Sequence, residues 1–84
     1  MTPEQRKVAE AAILTPRATN ILQLESNVAS AVGMDAFRVK GLLGSLVEEG
    51  YLKVGVTPAV NLAAGDPIKP NTMVWYERQR DWPQ

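Results

Sequence analysis

The chain has 84 residues, nine Lys and Arg against nine Asp and Glu, and neither cysteine nor histidine. That length fits one domain with a compact core, and the missing cysteines exclude a disulfide framework or a thiolate metal site. A net charge of zero leaves no polybasic tail to supply affinity for nucleic acid or an acidic surface.

Thr2-Pro3-Glu4-Gln5 carries a hydroxyl N-cap, a proline at the first helical position and a Gln to close a capping box, so a helix is expected from here to about Leu14. Val8, Ala9 and Ala12 form its packing face, and Thr15-Pro16 ends it. The segment 17–24 reads two ways. NILQL is either a short strand or the first turn of a longer second helix; the extended form is favoured here, with Leu22 and Leu24 pointing together into the core. Ser26 is then the N-cap of a helix through Val32, with Val28, Ala29 and Val32 on one face.

Gly33 supplies a turn, Asp35 caps the next helix, and that helix runs from Ala36 to about Glu49 before Gly50. Val39, Leu42, Leu43, Leu46 and Val47 follow helical spacing throughout. The period changes to two across 51–57, where Leu52, Val54 and Val56 alternate with Tyr51, Lys53 and Gly55 as in a strand. A loop over 58–70, with three prolines and Gly65-Asp66, separates it from a second strand at 71–78. These elements predict an α+β domain over 1–78, followed by a tail at 79–84 that frays unless Trp82 docks.

Residues 25–52 carry a family resemblance. Ala29, Gly33, Val39 and Leu42 stand where helix-turn-helix proteins place a small residue, a turn glycine and two core positions. LLGSLVEEGYL after them looks like the exit from a recognition helix into a wing. The chain thus resembles the winged helix-turn-helix DNA-binding family, typified by small bacterial or phage transcriptional regulators. The resemblance implies three helices followed by a β-hairpin wing, with the 36–49 helix in the major groove. It also implies duplex DNA as partner, a homodimer that pairs two half-sites, and no cofactor.

On that reading the candidate DNA-binding residues are Arg17, Asp35, Phe37, Arg38, Lys40, Gly41 and Lys69, with Asp35 also serving as a cap. Phe37 would touch a thymine methyl, anchor a protein partner, or turn inward under the first helix. The loop residues Val60, Leu62 and Ile68, with Lys69 the one basic side chain among them, suit a protein partner better than phosphate. The competing expectation is therefore a winged-helix protein-interaction module, an inhibitor or adaptor that does not bind DNA. Catalysis is not expected, because there is no histidine or cysteine, no phosphate-cradling glycine motif and no close carboxylate pair. Without a signal-length or membrane-length apolar run, the expected location is the cytoplasm.

Overall fold

The computed structural model describes residues 1–57 and 73–83. Helix α1 spans Pro3–Leu14 and begins with the expected box: Gln5 N–H donates to Thr2 Oγ1 at 3.0 Å, and Thr2 N–H donates to Gln5 Oε1 at 2.8 Å. Two of the amides that a helix start leaves unpaired are satisfied this way. Val8, Ala9 and Ala12 are buried along its inner face, where small side chains let the other helices approach closely. Thr15 closes the helix, its hydroxyl donating to the Ala11 carbonyl at 2.7 Å.

Helix α2 spans Ile21–Val32, which corrects the extended reading of NILQL and moves the N-cap from Ser26 to Asn20. Asn20 Oδ1 accepts from Gln23 N–H at 2.8 Å. Only Ala18 keeps an extended role, exchanging hydrogen bonds of 2.9 and 2.8 Å with Val74. The physical reason is length. A helix starting after Ser26 would have too few turns to offset its nucleation, whereas starting at Asn20 adds Leu24 to the stripe formed by Val28 and Ala29. Two positions apart on a helix point to opposite sides, so Leu24 is fully buried while Leu22 is 67% exposed.

Gly33, at φ 68°, ends α2 in the left-handed conformation that a residue with a Cβ adopts only at a cost. Helix α3 follows over Ala36–Glu48, with Val39, Leu43 and Leu46 buried at successive turns and Leu42 packed at the margin. Gly50, at φ 81°, reverses the chain as Tyr51 N–H donates to the Leu46 carbonyl at 2.9 Å. The large fully buried side chains come from all three helices and the first strand, and each stabilises the fold by roughly 1.5–3 kcal/mol.

Strands β1 (Leu52–Val56) and β2 (Val74–Arg78) pair antiparallel, with Leu52 opposite Arg78 and Gly55 opposite Trp75. Leu52, Val74 and Tyr76 face the core. Val54 and Val56, which alternate in step with Leu52, are exposed: among the helices β1 packs chiefly on α3, which ends just before the strand begins, so these two run out past helical cover. On the other face the Trp75 ring lies over Gly55 where any Cβ would collide with it, and Arg17 stacks on that indole at 4.1 Å.

The C-terminal residues dock. Trp82 is buried and its Nε1–H donates to the Tyr51 carbonyl at 3.2 Å, Arg78 stacks on its ring, and Arg6 donates to the Pro83 carbonyl at 2.7 Å. Three helices followed by an antiparallel hairpin form the α+β arrangement of a winged helix-turn-helix. Among the described residues no helix is long and apolar enough to cross a membrane.

Candidate nucleic-acid interface

α3 is fixed on one side and open on the other. Its buried stripe packs on α1 and α2, and Asp35 Oδ2 holds its first turn by accepting from the amides of Phe37 and Arg38 at 3.0 and 3.2 Å. The carboxylate of Asp35 is thus engaged in the cap. From that first turn onward, Phe37, Lys40, Gly41 and Gly44 fall at i, i+3, i+4 and i+7 and share the outward stripe. Phe37 is 84% exposed, so it does not fold under α1. A Cβ built on Gly41 or Gly44 meets nothing within 4 Å. Among the described residues no neighbour therefore demands glycine at either place, although each costs about 1 kcal/mol of helix propensity against alanine.

The expected cations do not converge on this stripe. Arg38 reaches back to α1 and forms a two-pronged pair with Glu4, at 2.9 Å from Nε and 2.6 Å from Nη2. Chiefly through that hydrogen bond, which outweighs the desolvation that opposes it, and with the charges of Arg38 and Lys7 helping, Glu4 is held below the usual carboxylate value. Arg17 is on Trp75 beside the hairpin. Of the remaining basic residues, Arg80 stacks on Tyr51 at 4.2 Å and Lys53 pairs with Glu77 at 3.7 Å. Lys40 alone stands on the outward stripe of α3 without an ion pair among the described residues. Lys69, with the rest of the apolar wing loop, lies outside the described residues.

What the sequence reading missed is a groove between α2 and α3. Leu22, Glu25 and Ser26 form one wall and Ala36, Phe37 and Lys40 the other, around a volume of about 160 Å³. Leu22, Glu25 and Ser26 share a helix face only once α2 starts at Asn20, so the strand reading of NILQL concealed it. The signal was present in Leu22-x-x-Glu25-Ser26, an i, i+3, i+4 set. Compared with known family models, curated proteins and solved structures, the chain has no significant match to any.

Proposed function

We propose that this protein is a winged helix-turn-helix regulator that binds duplex DNA by placing α3 in the major groove, acting by binding and not by catalysis. The supporting observation is the open stripe of α3: one side is anchored on two helices, and the other is free from Phe37 to Gly44 with glycines that admit close approach. A helix held at a fixed angle with an unencumbered face is what major-groove reading requires. Lys40 is the leading phosphate or base contact, Phe37 the apolar one, and Arg38 joins only after leaving Glu4.

The experiment is fluorescence anisotropy with mixed-sequence duplex DNA, starting at low salt. Binding should weaken as salt rises, and Arg38→Ala with Lys40→Ala should flatten the dependence by about 0.9, in log–log slope, for each phosphate no longer neutralised. An absence of binding at low salt would reject the regulator reading. A second reading is favoured by the apolar groove and the dispersal of the cations: a protein-interaction module that grips its partner through Phe37 and Leu22. Its binding would be nearly insensitive to salt and abolished in Phe37→Ala.

A further inference from the structure

We infer that the α2/α3 groove is a self-association surface, on which a second copy of this chain seats its own Phe37 about a twofold axis. Size matches first. An apolar cavity of about 150 Å³ accommodates a benzene ring, and the groove offers about 160 Å³ walled largely by Leu22, Ala36 and Phe37. Phe37 is the one phenylalanine in the chain and is 84% exposed. Knob and hole therefore occur together on one patch. A twofold operator needs this property, since each copy must offer the surface its partner requires.

Charge at the rim of the groove matches as well. Lys40 and Glu25 both line it, and neither forms an ion pair among the described residues. A patch with one cation and one anion at its edge is complementary to itself after a twofold rotation, which sets Lys40 of each copy against Glu25 of the other. A partner of uniform charge would leave one of the two opposed. At the axis the two Phe37 rings meet and stack offset, each entering the space beside the other's Leu22. Gly41 and Gly44, open on the next turns of the same stripe, let the second α3 come near.

DNA plays no part in this association and is left out of its test. Sedimentation velocity of the whole chain over a wide concentration range should show a monomer passing to twice the chain mass. Phe37→Ala, at an exposed position that leaves the core intact, should raise the dimer dissociation constant about 30-fold or more, the effect of removing a central aromatic anchor. Lys40→Glu and Glu25→Lys should each weaken the dimer by opposing like charges across the axis, and the two combined should restore it. A monomer at every concentration overturns the inference. So does a dimer indifferent to Phe37→Ala but broken by Leu14→Glu, which places the interface at α1. Failure of the combined charge reversal to restore association overturns the twofold register.

Discussion

Replacing Glu4 with Gln tests whether Arg38 takes part in DNA binding, and the expected direction is tighter binding. Glu4 occupies both prongs of the Arg38 fork, so in the resting protein a phosphate must compete with this carboxylate for the cation. Glutamine keeps the size and the helix start but gives up the charge. It removes one repulsive anion from the approach to α3 and frees Arg38 for one phosphate. One added phosphate contact steepens the log affinity against log salt by about 0.9, which between about 50 and about 200 mM salt amounts to about 3.5-fold. The variant should therefore bind duplex DNA more tightly than the parent at low salt, with the advantage shrinking by about that factor at the upper end. The assay is anisotropy across the salt range, with thermal melts as control. The pair is exposed, at 60% and 38% of the two side chains, so the melt should barely move. Arg38 holds the Glu4 carboxyl below its usual range, so Glu4 keeps its charge at the neutral pH of a binding assay. A slope unchanged both in Glu4→Gln and in Arg38→Ala would show that Arg38 does not reach the nucleic acid.

Other expectations concern the fold and its open face. Gly41→Ala and Gly44→Ala should each raise stability by about 0.5–1 kcal/mol in a denaturant titration, since the added methyl meets nothing, while weakening whatever docks on α3; a fall in stability would mean the face is covered. Burial pushes the Tyr76 phenol up to about 12 from 10.0, with Glu25 adding to it, so the fold favours the neutral form. Stability from this group is fully present below pH 10.0 and is lost as pH rises toward 12, by about 2–3 kcal/mol at most; melting temperatures along that range should fall, and Tyr76→Phe should remove this part of the decline. Leu24→Ala should cost about 2–5 kcal/mol and Leu22→Ala less than about 0.5, a contrast that a strand at NILQL would abolish.

The inward half of the molecule was legible because its signals are local. Val39, Leu43 and Leu46 repeat at helical spacing, Thr2 and Gln5 cap each other across three residues, and Gly33 and Gly50 mark both places where φ turns positive. The strand reading of 17–24 failed where two local signals disagree: Leu22 and Leu24 alternate as in a strand, while Leu24 and Val28 repeat as in a helix. Burial of Leu24 against the other helices decides for the second, and no local rule contains that information. The cations were illegible for a related reason. Arg38 finds Glu4 across 34 positions, and Arg17 finds Trp75 across the whole helical pair. Long side chains take partners that only the finished fold brings near, so counting Lys and Arg overstated the charge available on α3.

The two proposals draw on the same face, and this makes Phe37→Ala decisive between them. A dimer that covers the groove hides Phe37 and Lys40, so a duplex that needs them binds only the dissociated chain. Each equilibrium then opposes the other by mass action. If self-association dominates at the protein concentration used, Phe37→Ala releases monomer and raises the apparent affinity for DNA. Where Phe37 itself reads a thymine methyl and the chain is already monomeric, the same change lowers affinity, and does so most at sites that carry the methyl. Substituting uracil for thymine in the duplex separates these cases, since it deletes the methyl that Phe37 would touch and leaves a dimer interface unaltered. An increase in affinity that ignores the uracil substitution assigns Phe37 to the second copy. A decrease that the uracil duplex already shows with the parent chain assigns it to the groove of the DNA.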